Sequence, residues 1–273
     1  VLAAAGYCVI YPNPRGSKGY GEAWTMALKG NWGVPAMEDV MAGVDDAIAR
    51  GWADADRLGV VTKNGEVIFP DRQLMLYAKD VLSRNPGCQI IYDVKCTRAL
   101  APWIREHGGQ PLMWKTGHSL VKAKLKETGA PLAGEMSGHI FFKDRWFGFD
   151  DGLYTAARLL EILSKEDDPN ATLNQLPNAI CTPELQLACT EGEPFAILEH
   201  IKANASFPSS EAINTIDGVR VEYPDGFGLA RPSNTTPVVV IRFEADTQDA
   251  ILRIQAEFKK AIIAAKPAAT LPF

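Results

Sequence analysis

The stretch Ile90-Ile-Tyr-Asp-Val94 is followed by a segment of helical character from Thr97 to His107, and then by Pro111-Leu-Met-Trp114. Each of the two short apolar runs predicts a strand, and Gly108-Gly109 predicts the end of the helix between them. A strand, a helix and a second strand in close succession predict an α/β layer, in which helices pack on a sheet.

The same alternation continues on both sides of this stretch. Val60 begins a strand, Asn64-Gly65 is a strong hairpin signal, and Asp71 is predicted to cap a helix that ends at Asn85-Pro-Gly87. Further along the chain, residues 118–128 are predicted to be helical, 133–142 extended and 150–164 helical. We therefore expect an α/β domain over residues 59–180.

The C-terminal part of the chain has a different pattern. Residues 166–182 are polar and interrupted by Pro169 and Pro177, which predicts a linker. Strands are predicted at 184–189, 218–222, 227–230 and 237–243, with helices at 194–203 and 247–265. Mostly antiparallel strands with two helices are typical of a small α+β domain, which we expect over residues 181–273.

The composition is that of a globular protein and excludes several classes. The 273 residues carry a formal net charge of −5 without a block of lysine and arginine, so we expect no binding to nucleic acid. No apolar run approaches the ~18 residues of a membrane-spanning helix, so no membrane partner is expected. The five cysteines form no C-x-x-C pair, which is typical of reduced thiols in a cytoplasmic protein. The chain begins with Val1 rather than with Met, so we expect a piece of a longer protein.

The segment Gly134-Glu-Met-Ser-Gly-His139 lies between two predicted extended segments. Glu135 and Ser137 are two residues apart, so in an extended chain both side chains point to one face. A carboxylate beside a hydroxyl can bind the vicinal hydroxyl groups of a sugar. The alternative is an ordinary polar turn.

The segment from Gly228 to Pro237 places Arg231 close to Ser233, Asn234 and Thr235. The planar guanidinium matches two phosphate oxygens at once, and free backbone N–H groups in such a loop add further donors. This pattern predicts a phosphate-binding loop. A hairpin turn rich in serine and threonine is the alternative.

Two further groups of residues are candidates for binding a ligand or a cation. Lys95 and His118 follow predicted strands, at the end of the sheet where α/β proteins usually bind ligands. In Trp52-Ala-Asp-Ala-Asp-Arg57, the carboxylates of Asp54 and Asp56 can both reach one hard cation. The alternatives are solvated side chains in the first case and a charged turn after a helix in the second.

From Asp56 to Phe273 the sequence resembles the α-D-phosphohexomutase family, which includes the phosphomannomutases and phosphoglucomutases. The motifs that carry the resemblance are Asp56-Arg-Leu-Gly-Val-Val61, Asp93-Val-Lys-Cys-Thr97, Trp114-Lys-Thr-Gly-His-Ser119, Gly134-Glu-Met-Ser-Gly-His139, Arg145-Trp-Phe-Gly-Phe-Asp-Asp-Gly152, Asp217-Gly-Val-Arg-Val221 and Arg231-Pro-Ser-Asn-Thr-Thr236. The resemblance implies four domains around a cleft, of which this chain holds the third and the fourth. It also implies an isomerase that moves a phosphoryl group within a mannose or glucose phosphate through a 1,6-bisphosphate.

The resemblance further implies roles for individual residues. Glu135 and Ser137 would bind sugar hydroxyls, and His118 would line the cleft. The non-reacting phosphate would be held by Arg231, Ser233, Asn234 and Thr235. The catalytic group near the reacting phosphoryl would comprise Arg57, Lys95 and His139.

Two departures from the family pattern bear on activity. The family's Mg²⁺ loop reads Asp-Gly-Asp-Gly-Asp-Arg, whereas Trp52 stands here at the first ligand and alanines replace both glycines, leaving Asp54 and Asp56. We therefore expect weakened Mg²⁺ binding. The family's phosphoserine motif is also absent from the 273 residues, so we expect the chain to be inactive alone.

The first 58 residues resemble a different family. Ala5-Gly-Tyr-Cys-Val-Ile-Tyr-Pro-Asn-Pro-Arg-Gly-Ser-Lys-Gly-Tyr-Gly21 is similar to the start of the catalytic domain of the prolyl oligopeptidase family, which implies an α/β-hydrolase-like strand, loop and helix. No Gly-x-Ser-x-Gly nucleophile motif occurs in the chain. The stretch from Asp54 to Val60 fits both families and indicates a chimera-like junction.

Two alternative functions follow from this junction. The chain can be a non-enzymatic or misfolded fusion fragment, whose N-terminal apolar side chains, such as Tyr7, Val9 and Val44, lead to self-association. The lesser alternative is a serine peptidase remnant without its nucleophile.

Overall fold

The computed structural model describes residues 56–273, and the N-terminal fragment predicted at 1–58 lies almost entirely outside them. The elements of the first half are β1 (Val60–Val61), β2 (Val67–Ile68), α1 (Pro70–Arg84), β3 (Gln89–Asp93), α2 (Leu100–Glu106), β4 (Gln110–Trp114), α3 (His118–Thr128), β5 (Leu132–Gly134), β6 (Ile140–Phe142), α4 (Gly152–Leu163) and α5 (Pro169–Asn174). Those of the second half are β7 (Ile180–Cys181), β8 (Leu185–Ala188), α6 (Glu193–Asn204), β9 (Ala212–Asn214), β10 (Val219–Tyr223), β11 (Gly226–Pro232), β12 (Val238–Ala245) and α7 (Gln248–Ala265).

The first half is built on a four-stranded sheet with the order β4-β3-β5-β6. Strand β3 runs parallel to β4 and to β5, with Tyr92 opposite Met113 on one side and Gly134 on the other. Strand β6 returns antiparallel to β5. Because parallel strands end at the same edge, the loops after β3, β4 and β5 meet there.

Side chains of β3 alternate between two apolar layers. Ile90 and Tyr92 belong to a core that includes residues of α1, α2, α4 and α5. Ile91 belongs to the opposite layer, with Val121 and Leu125 of α3. The sheet therefore has helices on both faces, which confirms the α/β class predicted from the alternation of strands and helices.

The second half is an antiparallel sheet in which β12 and β11 are central, flanked by β10 and β9 on one side and by β7 and β8 on the other. Helices α6 and α7 cover one face through a shared apolar core. From the opposite face, Phe227 and Leu229 pack against Val94, just after β3 of the first sheet. The predicted small α+β unit is therefore confirmed as a fold, and its free sheet face meets the first half.

Buried ionic side chains strengthen this contact at the loop after β3. Arg220 donates to the backbone carbonyls of Val94 and Cys96, at 2.6 and 2.7 Å, and Arg242 donates to that of Lys95. In return, the hydroxyl of Thr97 donates to the Glu244 carboxylate at 2.7 Å. These bonds satisfy backbone groups that burial would otherwise leave unpaired.

Several predicted boundaries are wrong, for reasons visible in the packing. Helix α1 begins at Pro70 after Phe69, so Asp71 does not cap it; its buried carboxylate accepts instead from the Thr97 N–H. Helix α2 begins at Leu100 rather than Thr97, because Thr97 is engaged with the C-terminal sheet.

Two predicted irregular or extended segments also differ. Residues 133–142 form the two strands β5 and β6 joined by a turn, because Glu135 N donates to the His139 carbonyl at 2.9 Å and closes a hairpin. The predicted linker at 166–182 contains α5, and its Leu173 and Leu176 are buried in the first core. Apolar side chains in a polar sequence thus attach this segment to the first half. None of the described helices is both long and apolar enough to cross a membrane.

Candidate functional site

Asp93, the last residue of β3, connects the three loops at the edge of the first sheet. Its side chain is fully buried. One carboxylate oxygen, Oδ1, accepts from the backbone N–H of Met136 at 3.0 Å and from Cys96 Sγ, and the other, Oδ2, accepts from Thr116 Oγ1 at 2.8 Å. A single carboxylate therefore fixes the loops after β3, β4 and β5 relative to one another.

Glu135 and Ser137 lie together in the turn between β5 and β6. Ser137 Oγ donates to Glu135 Oε2 at 3.0 Å, and the backbone N–H of Gly117 donates to Glu135 Oε1 at 2.9 Å. Burial raises the pKa of Glu135, and the nearby Asp93 carboxylate raises it further. The predicted pairing of carboxylate and hydroxyl is thus present, in a turn rather than along an extended strand.

His118, His139 and Arg57 come together beside this turn. The two imidazole rings have their centroids 5.6 Å apart, and the backbone of Arg57 forms a β-bridge with that of His139. A Cβ atom at Gly138 would lie 3.2 Å from the Arg57 side chain, so the arginine packs closely on this glycine. Arg57 and His139 are 82 positions apart in the sequence, and the tertiary structure makes them neighbours.

His139 has a carboxylate neighbour that sequence reasoning did not identify. Its Nδ1 lies 2.6 Å from Oδ2 of Asp150. This contact with Asp150 raises the pKa of His139, although partial burial opposes the effect. The result is an imidazole whose cationic form is favoured, next to Arg57.

The described residues do not form a good Mg²⁺ site. Asp56, His139 and Asp150 have ligand atoms within 4.8 Å of one another. This set includes an imidazole nitrogen, whereas Mg²⁺ prefers an all-oxygen shell, and mixed imidazole and carboxylate sets suit transition metals better. Trp52 and Asp54 lie outside the described residues.

Lys95 is positioned by the contact between the two halves. Its side chain is buried, and Nζ donates to Oε2 of Glu184 at 2.9 Å. Glu184 precedes β8 and is itself partly exposed. The predicted placement of Lys95 just beyond a strand end is correct, but its ammonium is paired with a carboxylate of the second half.

Arg231 lies near the C-terminal end of β11, close to the loop after β4. Its Nε donates to Asp217 Oδ2 at 2.9 Å, and its Nη2 is buried without a hydrogen-bond partner among the described residues. Ser233 Oγ accepts from the backbone N–H groups of Thr235 and Thr236, each at 3.3 Å. The loop is therefore a compact turn with an available, preoriented guanidinium beside it.

The phosphate-binding loop predicted at 231–235 touches the loop between β4 and α3, which leads into His118 and is called the loop of His118 below. Asn234 Nδ2 donates to the carbonyl of Thr116 at 3.0 Å, and Asp217 accepts from the Thr116 N–H at 2.9 Å. Thr116 in turn binds Asp93. The sugar-hydroxyl and phosphate groups that the sequence predicted separately thus belong to one hydrogen-bonded network.

Sequence reasoning missed Asp93 and Asp217 as parts of this network, and Asp150 as the partner of His139. Asp93 and Asp150 follow apolar runs, and Asp217 precedes a glycine, so each occupies a place where a carboxylate serves backbone or side-chain donors. A buried acid at a strand end is the signal that was available for Asp93.

Comparison with protein families gives two regions of similarity. The model described as "Phosphoglucomutase/phosphomannomutase, alpha/beta/alpha domain III" matches residues 69–180, and the one described as "Phosphoglucomutase/phosphomannomutase, C-terminal domain" matches residues 184–261. A model described as "Prolyl oligopeptidase family" matches residues 1–61, of which the structure describes only the last six.

Curated relatives and solved structures are similar over the same region. A phosphoglucomutase of Neisseria meningitidis is 64% identical over 215 residues, and a phosphomannomutase/phosphoglucomutase of Pseudomonas aeruginosa is 57% identical over 221 residues. These alignments cover 78% and 81% of this chain but 46% and 48% of the relatives, so the chain spans about half their length.

A crystal structure of a phosphoglucomutase/phosphomannomutase family protein from Burkholderia thailandensis is 63% identical, with a TM-score of 0.77, and the match covers 86% of this chain and 52% of that one. The N-acetylphosphoglucosamine mutase of Aspergillus fumigatus, solved in complex with GlcNAc-6P and magnesium, is 13% identical with a TM-score of 0.54, over 79% of this chain and 48% of that one. At that identity the second likeness concerns the fold alone.

Proposed function

Because residues 69–261 belong to the phosphoglucomutase/phosphomannomutase family, we propose that the described part of the chain is the sugar-phosphate-binding half of a phosphohexomutase. Its substrate class is a hexose monophosphate such as glucose 1-phosphate or mannose 1-phosphate. One end of the substrate would meet Glu135 and Ser137, and the phosphate would meet Arg231 and the turn at 233–235.

The network that joins these two ends supports the proposal most strongly. Arg231 and Thr116 both donate hydrogen bonds to Asp217. Thr116 and Met136, which is next to Glu135, both donate to Asp93. A hexose phosphate has hydroxyls at one end and a dianion at the other, so a binding site needs both kinds of group at a fixed separation. The hydrogen bonds supply that fixed relationship before any ligand binds.

The cationic groups beside the turn of Glu135 are suited to phosphoryl transfer. His139, favoured in its cationic form by Asp150, lies beside Arg57 and His118. Fixed cations such as Arg57 and protonated His139 stabilise charge on the equatorial oxygens of a transferring phosphoryl group, since this chemistry rests on positioning and electrostatics. Lys95 would join them if the sugar phosphate displaced Glu184 from its ammonium.

The proposal separates binding from turnover. None of the serines in the 273 residues lies in the phosphoserine motif of the family, so we propose that this polypeptide binds hexose phosphate without converting it by itself. A coupled assay with glucose 1-phosphate, Mg²⁺ and a hexose 1,6-bisphosphate primer measures conversion directly. Clear turnover would overturn this part of the proposal and leave the binding site in place.

Thermal unfolding tests the binding site. A ligand that binds only the folded state raises the midpoint by mass action, so millimolar glucose 1-phosphate should raise the melting temperature of the chain. Arg231→Ala should make the increase much smaller at the same concentration of glucose 1-phosphate. Arg253→Ala is the matched control, because this exposed arginine pairs with Asp225 on the same domain and away from the site. A transition that does not respond to the sugar phosphate in the wild type would contradict the proposal.

A further inference from the structure

A single carboxylate oxygen connects the two halves of the described chain at the proposed site. Asp217 Oδ2 accepts from Arg231 Nε and from the backbone N–H of Thr116, each at 2.9 Å. Arg231 is the penultimate residue of the central strand β11 of the second sheet, whereas Thr116 lies in the loop between β4 and α3 of the first half. The oxygen therefore holds the phosphate-loop arginine and the loop of His118 at the same point.

The contact with Asp217 uses Nε of Arg231 and leaves its Nη groups available to another acceptor. A guanidinium presents its N–H groups in a rigid planar fork, so an acceptor at Nε sets the direction of both Nη atoms. Arg231 is only 4% exposed, and its Nη2 has no partner among the described residues. A buried cationic donor without an acceptor is costly, and an anionic oxygen of a ligand would remove that cost.

Gly218 allows Asp217 to lie this close to Arg231. The φ angle of Gly218 is +79°, a conformation that residues with a side chain rarely adopt. A Cβ atom there would lie 2.3 Å from the carbonyl oxygen of Ala230 and 2.6 Å from Cα of Arg231. Glycine at this position is therefore required by close backbone contact at the end of β11 as well as by the backbone angle.

A second residue of the C-terminal half, Asn234, also contacts Thr116. Asn234 Nδ2 of the phosphate loop donates to the carbonyl of Thr116 at 3.0 Å, while the N–H of Thr116 donates to Asp217, so the second half binds both the C=O and the N–H of one residue. The hydroxyl of Thr116 then binds Asp93, whose other oxygen accepts from Met136 beside Glu135. Contiguous hydrogen bonds thus connect Arg231 with the turn that carries Glu135.

We propose that Asp217 is a positioning residue of the sugar-phosphate site, which aims Arg231 at the phosphate and ties that arginine to the loop of His118. This inference rests on the function proposed above. Asp217 acts through Arg231 and Thr116 and does not itself meet the substrate, because its carboxylate would repel the dianion.

Isothermal titration with glucose 1-phosphate tests the inference on the 273-residue chain. Asp217→Asn should weaken the affinity roughly tenfold, since a charge-assisted hydrogen bond that orients the binding group is lost. Asp225→Asn is the matched control, because Asp225 pairs with the exposed Arg253 and should leave the affinity unchanged. In an Arg231→Ala background, Asp217→Asn should cause no further loss, because effects carried by one partner are not additive.

Nuclear magnetic resonance gives a readout that a purely structural role would not move. Adding inorganic phosphate to the wild type should shift the Nε–H signal of Arg231 and the amide signal of Thr116 together. In Asp217→Asn the amide of Thr116 should no longer respond. Asp217→Ser, which removes the carboxylate without adding an amide donor, should behave in the same way, and the melting temperature of each variant reports whether it folds.

The outcomes distinguish this inference from the proposed function. A wild type that does not bind glucose 1-phosphate overturns the proposed function and the inference together. A wild type that binds, with a folded Asp217→Asn that binds equally well, overturns the inference alone. Additive losses in the Arg231→Ala background would also contradict it, since they would mean that Asp217 acts independently of the arginine.

Discussion

The hydroxyl of Thr116 donates a hydrogen bond of 2.8 Å to Oδ2 of Asp93, a carboxylate that is fully buried at the end of β3. Oδ1 of the same carboxylate accepts from the N–H of Met136, next to Glu135. Thr116 is also bound by Asp217 and Asn234 of the second half. The turn of Glu135 and the loop at 231–235, which we propose to bind sugar hydroxyls and phosphate, are therefore held in one arrangement through a residue that carries no charge.

Removal of the Asp93 carboxylate should destabilise the fold. Asp93→Ala leaves the Thr116 hydroxyl and the Met136 N–H without their acceptor in a buried place. We expect a loss of about 2–5 kcal/mol in the free energy of unfolding, measured by urea denaturation. Asp167→Ala, at an exposed position, is the control and should change stability by less than about 0.5 kcal/mol. Equal stabilities of the two variants would contradict the role given to Asp93.

Substitution of Glu135 should separate sugar recognition from phosphate recognition. Glu135→Gln keeps the size of the side chain but replaces one of the two oxygens that accept from Gly117 and Ser137. We expect roughly tenfold weaker binding of glucose 1-phosphate, because a hydroxyl-binding carboxylate is lost. Binding of inorganic phosphate should stay unchanged, since that anion meets only the Arg231 end. Parallel titrations with both ligands measure the difference, and equal losses for both would refute the assignment of Glu135 to the hydroxyls.

Two glycines with the same backbone angle should differ sharply in their tolerance of alanine. Gly218 and Gly108 both have φ of +79°, but a Cβ atom at Gly218 would meet the Ala230 carbonyl at 2.3 Å, whereas nothing lies within 4 Å of one at Gly108. We expect Gly108→Ala to cost about 1 kcal/mol from the backbone angle and Gly218→Ala to cost about 2–4 kcal/mol. Chemical denaturation of the two variants gives the comparison, and a Gly218→Ala as mild as Gly108→Ala would show that the strand end adapts.

Stability should fall at acidic pH through Asp80. This carboxylate lies 2.7 Å from Arg158 and 2.8 Å from Arg84. Partial burial would raise its pKa, but the hydrogen bonds with the two arginines outweigh this effect and lower the pKa of Asp80 to about 2. Because the folded pKa lies below the unfolded value, the stabilisation is complete above about pH 4 and is lost as the pH falls through about 2.

The matched variant for this effect is Asp80→Asn. At pH 7 we expect it to be less stable than the wild type by about 1–2 kcal/mol after allowance for solvent screening. At pH 2 the difference should narrow, because the wild-type carboxyl is then about half protonated in the folded protein and almost fully protonated in the unfolded chain. Thermal melts of both proteins between pH 2 and pH 7 measure it, and a difference that stays constant over this range would exclude Asp80 as the titrating group.

Local sequence signals were sufficient where neighbours in the chain decide the structure. The helix at His118–Thr128 and the hairpin at Asn64-Gly65 follow from periodicity and from turn chemistry, and both were correctly predicted. The motif around Glu135 and Ser137 was correctly identified as a close pair, although its extended conformation was wrong. Prediction failed at Asp71 and Thr97, because their side chains serve the opposite half of the chain and not their own helices.

By itself the sequence determined the α/β class, the family and the kinds of side chain available, since periodicity, turn residues and motif spacing are properties of the local chain. Only the tertiary structure decided which donors share Asp93 and Asp217, and that Lys95 pairs with Glu184 across 89 positions. These pairings depend on strand order, on register and on how Phe227 and Leu229 pack against Val94. A hydrogen bond is directional and short, so its partner is set by the final positions of two separate sheets, which no local pattern encodes.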